Sequence, residues 1–337
     1  MADAVKATKM LQTRELGERS FRSGQVDTIE IPRGYSIANL LFRLTGTLSR
    51  TAGASAGAGK DLTGAQLVKR IEIRKNGREV IKALDMESMM RFNEQRYGTL
   101  PEWALSATWA AYGALSTTTF ALSAKLAFEM WKSISQLDTL FDSSSRNGIA
   151  ALDLVIYWGV LSDVMTPAYN PSGAGVTADA TPSLSVAVEE YVDPDALPGE
   201  YLENREYSIR RSITATNPKE QQSISPSNWF RQFVLKTYAD GVQRSDILNN
   251  IIIRSGSQVF KNHKAESLRQ KNKADLGLAT AQTGYYLLDF CPDGHLSRML
   301  ATQGFSDLVI EMDVTKQGTD CVVEIFPNEL VKLPTTA

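Results

Sequence analysis

Residues 57–60 (Gly-Ala-Gly-Lys) are the part of this 337-residue chain that comes nearest to a reactive motif. A glycine-rich loop that ends in lysine can bind phosphate through its backbone N–H groups and the lysine. The complete motif also needs a glycine at position 54 and a serine or threonine after the lysine. This chain has Ala54 and Asp61 at those positions. The spacing therefore favours a flexible linker over a nucleotide site.

Other side chains that commonly perform catalysis or bind metals are few and scattered. The chain has two histidines, His263 and His295, and two cysteines, Cys291 and Cys321. None of them has the spacing of a zinc site, and no Gly-x-Ser-x-Gly nucleophile motif occurs. Two cysteines do not make a disulfide framework, although a single bridge between them stays open. We therefore predict a protein that is not an enzyme, with no catalytic residues, no cofactor and no metal site.

Composition narrows the class further. The 36 basic and 38 acidic residues give a net charge of −2, which argues against sequence-specific nucleic-acid binding. Apolar residues make up 43%, enough for a core in each of two domains of about 150 residues. The first 20 residues lack the apolar segment of a secretory signal, and no run approaches the roughly 18 apolar residues of a membrane span. We expect a protein that is made in the cytoplasm.

Three sequence blocks occur twice in the same order, which indicates an internal duplication. The paired blocks are 40–43 with 233–236, 71–82 with 251–261, and 153–156 with 307–310. The first pair is displaced by 193 residues (233 − 40) and the third by 154 (307 − 153). The second is displaced by 180 before its turn and by 179 after it. The first half therefore contains about 13 and then 25 extra residues, near 51–60 and 100–120, where we expect loops.

Alternating apolar residues predict half-buried strands. Those predicted to face a core are Leu154, Ile156, Trp158, Val160, Leu308, Ile310, Met312 and Val314. In the same way Ile71 and Ile73 are predicted to face inward and Glu72 outward. Asn76-Gly77 predicts a tight hairpin turn, and Ser255-Gly256-Ser257 predicts its counterpart, one residue shorter. A polar, helix-compatible stretch follows each hairpin, at 85–96 and 263–273.

These elements predict an all-β fold of two tandem eight-stranded units with a short helix in each half, and each unit fits a sandwich or jelly roll better than a barrel. An α/β fold would need a helix after every strand, and the chain supplies one per half. The predicted boundaries are an N-terminal arm at 1–22, a first jelly roll at 23–193, a linker at 194–204 and a second jelly roll at 205–337. A segment rich in Pro, Gly, Ala and Thr at 167–182 predicts a long surface loop.

The duplicated halves and the repeated block resemble a known family. The block runs from Ile71 to Met89 and recurs from Ile251 to Leu268. The likeness is to the double jelly-roll major capsid proteins of tailless icosahedral, membrane-containing bacteriophages of the corticovirus and tectivirus type, in the adenovirus-hexon lineage. It implies pseudo-hexameric homotrimers that form an icosahedral virion shell over an internal membrane. The implied partners are other copies of the chain, penton proteins and minor capsid proteins.

Two regions are candidates for subunit contacts. The apolar insertion contains Trp103, Trp109 and Tyr112, which either pack on their own jelly roll or contact a neighbouring subunit. Ile252 stands where Glu72 stands in the first copy, on the face turned away from the core, so it should be covered by the other jelly roll or by a neighbour.

The N-terminal arm is the third candidate. It carries Lys6, Lys9 and Arg14 among scattered apolar residues. One interpretation is a solvated terminus. The other is an arm that contacts anionic lipid head groups or a neighbouring subunit.

A carbohydrate-binding β-sandwich, either lectin-like or a glycoside-hydrolase module, is the alternative function. A lectin needs exposed aromatic and carboxylate side chains on one face, and no such cluster is evident in the sequence. A glycosidase needs two carboxylates about 5–9 Å apart across a cleft, which sequence does not reveal.

Overall fold

A computed structural model of the protein describes residues 10–50, 60, 62–105, 117–130, 139–143, 148–165, 175–192 and 202–332, with the backbone alone at residue 50 and at 103–105. The first half contains β1 (Leu11–Ser20), β2 (Val26–Glu30), β3 (Ser36–Arg50), β4 (Val68–Lys75), β5 (Glu79–Leu84), α1 (Met86–Tyr97), β6 (Glu102–Leu105), β7 (Thr117–Ala127), β8 (Phe141–Asp142), β9 (Leu152–Trp158) and β10 (Val176–Tyr191).

The second half repeats this order. It contains β11 (Leu202–Glu206), β12 (Ile209–Ser212), β13 (Asn217–Ile224), β14 (Trp229–Ala239), β15 (Val242–Gln243), β16 (Leu248–Ser255), β17 (Gln258–Lys264), α2 (Ala265–Asp275), β18 (Tyr285–Asp289), β19 (Leu300–Ala301), β20 (Leu308–Val314) and β21 (Cys321–Lys332). The two helices and the predominance of strands confirm the predicted all-β class.

Each half is a sandwich of two sheets. In the first half, β1-β10-β3-β7-β6 packs against β5-β4-β9-β2. In the second, the sheet around β14 and β21 packs against β13-β20-β16-β17. Among the described strands every pairing is antiparallel except that of β5 with β11, where Lys82 lies opposite Glu206. This short parallel contact joins a sheet of the first half to a sheet of the second.

The predicted core residues lie between the sheets with one exception. Leu154, Ile156, Leu308 and Ile310 are fully buried, and the other predicted inward residues of these strands are also buried. Val160 is instead 39% exposed, because β9 ends at Trp158 and the chain turns into a 3₁₀ helix at Leu161–Val164. The alternation predicted for Val160 is therefore wrong.

Glu72 shows a different departure from simple alternation. It lies on the outer face of its strand as predicted, yet it is only 4% exposed. Arg70 and Arg74 bind its carboxylate, and the hydroxyl of Tyr157 also reaches it. Neighbouring side chains on the same face therefore bury a charged residue that the pattern placed toward solvent.

The two hairpins confirm the duplication in detail. Asn76 and Gly77 have φ values of 55° and 70°, as the Asn-Gly turn requires. In the second hairpin Gly256, with φ 52°, occupies the first position of a shorter turn. Both hairpins carry a register shift at the same place, between Ile73 and Arg74 and between Ile253 and Arg254. A shared bulge at the predicted displacement of 180 residues supports descent of both halves from one unit.

The helices follow the hairpins as predicted. Asp85 accepts a hydrogen bond from the backbone N–H of Ser88 at 2.7 Å and so caps α1, which ends before Gly98 with φ 79°. The helix α2 begins after Lys264 without a side-chain cap.

One asparagine in each helix fastens it to a strand. Asn93 donates to the carbonyl of Lys125 at 2.8 Å and accepts from its N–H at 2.6 Å. Asn272 does the same with Leu287, at 2.9 Å in both directions. The two asparagines are 179 residues apart (272 − 93), which makes β7 and β18 equivalent strands.

Three predicted boundaries change. The arm at 1–22 contains β1, which pairs with β10 from Leu11 to Ser20, so the first sandwich begins within that segment. The linker at 194–204 ends inside β11, and residues 193–201 lie outside the described residues. The surface loop at 167–182 is strand from Val176 onward, where β10 extends alongside β3.

Candidate assembly site at the joint between the two halves

The helix α1 of the first half packs on the outer face of the sheet formed by β14, β18 and β21 of the second half. We call this surface the joint face; it comprises Val234, Lys236, Tyr285, Leu287, Glu324 and Phe326. Its apolar members belong to the core of the first half, whereas their strand neighbours Phe233 and Leu235 belong to the core of the second. The strands of the joint face are therefore buried on both sides.

An aromatic contact marks the centre of the joint. Phe92 of α1 and Phe326 of β21 meet edge to face, with ring centroids 5.2 Å apart and planes at 83°. Both side chains are about 1% exposed. Edge-to-face pairs contribute about 0.5–1.5 kcal/mol beyond the area that they bury.

A buried lysine holds three carboxylates together at one end of the joint. Lys236 Nζ lies 3.2 Å from Glu87, 3.5 Å from Asp85 and 4.0 Å from Glu324. Burial disfavours its charged form, but the charges of Asp85 and Glu87 outweigh this cost and raise the pKa of Lys236 well above its usual value. Burial raises the pKa of Glu324, and the positive charge of Lys236 offsets only part of this rise.

A second buried ion pair lies where β5 meets β11. Lys82 Nζ lies 3.2 Å from the side-chain oxygen of Asn204 and 3.5 Å from Glu206, which also binds Arg96 of α1 at 3.3 Å. Burial lowers the pKa of Lys82 to about 8, although the negative charge of Glu206 acts to raise it. Burial would raise the pKa of Glu206, but Arg96 and Lys82 more than compensate and lower it.

Further polar contacts complete the joint. Gln282, in the loop after α2, donates to Glu94 at 2.6 Å, and its amide oxygen accepts from Gln95 at 2.8 Å. Lys75 binds Glu203 at 3.2 Å. Each of these contacts joins a first-half residue to a second-half residue, so separating the halves would leave several charges and amides without partners.

A mixed-charge cleft of about 580 Å³ opens at the Lys236 end of the joint. Its charged lining consists of Lys60, Lys69, Arg210, Lys236, Asp85, Glu87, Asp240, Asp320 and Glu324. Within the described part of the chain, no group of three or more His, Cys, Asp or Glu side chains is placed to hold a metal ion. Cys291 and Cys321 are free and buried.

Comparison with known proteins finds similarity to viral coat and capsid proteins. Residues 225–327 match the family model described as viral coat protein P2 C-terminal domain. The STIV major capsid protein, from Sulfolobus Turreted Icosahedral Virus, is similar in structure, with a TM-score of 0.74 at 13% identity over 97% of this chain and 98% of that one. This chain has the double jelly-roll fold of viral major capsid proteins.

Two further solved structures share the fold along the whole chain. The major capsid protein P2 from bacteriophage PM2 has a TM-score of 0.61 at 11% identity, covering 97% of this chain and 100% of that one. The Faustovirus major capsid protein has a TM-score of 0.63 at 10% identity, covering 100% and 92%. No curated protein sequence matches this chain significantly. No helix among the described residues is long and apolar enough to cross a membrane.

None of the interface residues predicted from the sequence is among the described residues of the joint. Trp103 lies on β6, at the edge of the first jelly roll, and its side chain is outside the described residues, as are Trp109 and Tyr112 entirely. Ile252 lies on β16 and is half-buried on the outer face of the second jelly roll, opposite Asn262 and Glu311 of the neighbouring strands.

The charged residues predicted for the arm separate into two groups. Arg14 lies on β1, where it binds the fully buried Glu190 of β10 at 2.9 Å. Lys6 and Lys9 lie outside the described residues. The guanidinium of Arg14 is therefore held within its own jelly roll.

The residues of the joint were missed, although the sequence carries a signal for them. Lys82 and Lys236 are charged residues inside apolar strand runs, a position that a lysine rarely takes without a partner. The run from Cys321 to Phe326 has apolar residues on both faces, which indicates a strand covered on both sides. The identity of the covering element, α1, depends on the tertiary structure.

Proposed function

We propose that this protein is the major capsid protein of an icosahedral virus and that it assembles as a pseudo-hexameric homotrimer. The match of residues 225–327 to a viral coat-protein family and the double jelly-roll fold support the capsid role. The observation that carries the proposal is the buried joint, which holds two similar jelly rolls side by side as one unit. A buried contact of this kind between two jelly rolls suits a subunit of a shell.

The duplicated jelly rolls support a trimer as the proposed assembly. Two similar jelly rolls per chain give six per trimer, which approximates a hexagon and can pack in a shell. A head-to-tail contact between chains generates a ring when its rotation closes. The apolar insertion with Trp103, Trp109 and Tyr112 is part of the proposed subunit contact.

Assembly of a virion adds other partners. The trimers would contact one another, penton proteins at the vertices and minor capsid proteins, over an internal membrane. Because Arg14 binds Glu190 within its own chain, the proposed contact with lipid head groups is limited to the segment that contains Lys6 and Lys9. In this proposal the protein has no enzymatic role.

Light scattering coupled to size exclusion tests the proposal directly. The expected mass is three times the 37.1 kDa of the chain. Negative-stain electron microscopy of the same fraction should show particles with a hexagonal outline. A monomer at every concentration tested would overturn the proposal, and a monomer that binds glycans on an array would favour the carbohydrate-binding alternative.

A further inference from the structure

The joint face has a counterpart on the first jelly roll that no helix in the described part of the chain occupies. The strands β3, β7 and β10 are equivalent to β14, β18 and β21, so each residue of the joint face has a partner position. In the order of the joint face, these positions are Leu41, Arg43, Ser123, Lys125, Ser185 and Ala187. We call this surface the open face. Leu41 and Ala187 pair across the sheet as Val234 and Phe326 do.

The open face is a groove of about 710 Å³. Ala187 and Ser185 stand where the joint face has Phe326 and Glu324, and Ser123 stands where it has Tyr285. Smaller side chains leave the space that makes the groove. Tyr97, which is 44% exposed, lines the same groove together with Thr99 and Pro101.

The helix that would match this groove is also uncovered. Eight of the 12 residues of α1 are buried, whereas only Ala265 and Leu268 are buried among the 11 residues of α2. The side chain of Glu87 is 6% exposed, and that of its equivalent Glu266 is 60% exposed. The difference arises because the second jelly roll covers α1, whereas no element among the described residues of the same chain covers the exposed side of α2.

We propose that α2 of one chain packs into the open face of a second copy of this chain, repeating the contact that α1 makes with the joint face. This inference deepens the proposed function and rests on it, since it names the surfaces that join the chains of the trimer. Each chain offers one α2 and one open face, so the contact is head-to-tail, and a rotation of one third of a turn would close it into the proposed ring of three chains.

Charges on the two surfaces are complementary. Glu87 of α1 binds Lys236 of the joint face at 3.2 Å. The residue equivalent to Glu87 is Glu266 of α2, and the residue equivalent to Lys236 is Arg43 of the open face. An acidic residue and a basic residue therefore occupy these positions again. Within the single chain Arg43 is exposed and binds Glu102 at 2.9 Å.

The second charge changes sign on the helix, whereas Arg43 keeps the positive charge of Lys236 on the sheet. Lys264 stands where Asp85 caps α1, 179 residues earlier (264 − 85). Asp85 contacts the lysine of the joint face, whereas Lys264 would face Glu102, the carboxylate that lies beside Arg43 on the open face. Lys264 would therefore pair with Glu102 of β6 and not with Arg43, the equivalent of Lys236.

The edge of β17 extends the same contact. Lys261 of β17 is the equivalent of Lys82, and β17 has no strand on its free side among the described residues, whereas β5 has β11. The position equivalent to Glu206 is Thr13 of β1, since Thr13 faces Glu189 on β10 as Glu206 faces Asn328 on β21. Docking of α2 would bring Thr13 of the neighbour to this edge and cover it.

Cross-linking between α2 and the open face tests the inference. The variant with Glu266→Cys and Arg43→Cys, treated with a short bismaleimide, should give a covalent trimer on a denaturing gel. The matched control combines Glu266→Cys with Lys219→Cys, an exposed position on β13 at the far edge of the second jelly roll. This control and each single variant should stay monomeric on the gel, because the native cysteines are buried.

A charge-reversal variant tests whether the opposite charges of the two surfaces contribute to the contact. Glu266→Arg should weaken the trimer at low protein concentration by light scattering, and adding Arg43→Glu with Glu102→Arg should restore it. If the wild type is a trimer but the paired cysteines do not cross-link, this contact is wrong while the proposed function stands. If the wild type is a monomer, both are overturned.

Discussion

Phe92 and Phe326 meet edge to face with ring centroids 5.2 Å apart, although the first belongs to the helix of one jelly roll and the second to a strand of the other. Phe326 thereby joins the core of the first jelly roll, while its neighbour Ile325 stays in the core of the second. A single strand thus contributes to two cores, and the two jelly rolls are expected to unfold as a coupled pair.

Replacement of Phe326 by alanine should uncouple the two jelly rolls. We expect a loss of about 3–5 kcal/mol of unfolding free energy, because a buried phenylalanine leaves a cavity that its surroundings only partly fill. Calorimetry should show two transitions in place of one. Phe305→Ala, which removes a partly buried ring from a stack within the second jelly roll, is the control and should cost less. Equal losses in the two variants would contradict a special role for the joint.

Lys236→Met should destabilise the protein strongly. It leaves Asp85, Glu87 and Glu324 close together without their shared cation, and breaking a buried ion pair by removing one partner costs about 3–5 kcal/mol. Denaturant unfolding measures the change. Lys219→Met, at an exposed position, should shift stability by no more than about 0.5 kcal/mol. A near-neutral Lys236→Met would show that the carboxylates do not need this lysine.

The ion pair at Lys82 predicts a pH dependence. Burial lowers the pKa of Lys82 to about 8 from the 10.5 of an exposed lysine, so the native state binds fewer protons than the unfolded state between these values. The stability that this group contributes is complete above the unfolded pKa and is lost as the pH falls through the folded pKa. Relative to Lys82→Met, the wild type should gain about 1.5 kcal/mol between about pH 8 and about pH 9.5. Denaturant unfolding of both proteins checks this, and a constant difference would refute it.

The two helix asparagines offer a matched pair of variants. Asn93→Ala and Asn272→Ala each remove two hydrogen bonds to a strand backbone, and leaving buried partners unpaired costs about 1–3 kcal/mol. Asn93 is fully buried and Asn272 only half-buried, so the first variant should lose more thermal stability. Equal losses in the two variants would show that the joint does not exclude water from α1.

Trp109→Asp tests the apolar insertion. A charged side chain in a buried subunit contact is costly, so we expect the trimer to dissociate while the monomer keeps its circular dichroism spectrum. Light scattering reports the mass. An intact trimer would favour the other interpretation of the insertion, a segment packed on its own jelly roll.

The sequence anticipated the elements that depend on local pattern. The alternation from Leu308 to Val314, the turn at Asn76-Gly77 and the helices after both hairpins lie where they were predicted. The alternating pattern gave a wrong prediction at Val160, where the chain changes direction after β9. It also did not reveal β1, because many residues of that strand are polar. Such strands are specified by their partners, and β1 takes its place through pairing with β10.

The repeat was determined by the sequence itself. Hydrophobic period and turn chemistry depend on residues that are close together along the chain, and the displacement between the two copies is counted directly in the sequence. Which copy covers the other was decided only in the tertiary structure. Glu87 and Glu266 occupy equivalent helix positions, yet one is buried against Lys236 and the other faces solvent. The reason is that burial depends on surfaces brought together across more than 100 residues of chain, as Glu87 and Lys236 are (236 − 87), and a local pattern carries no record of that contact.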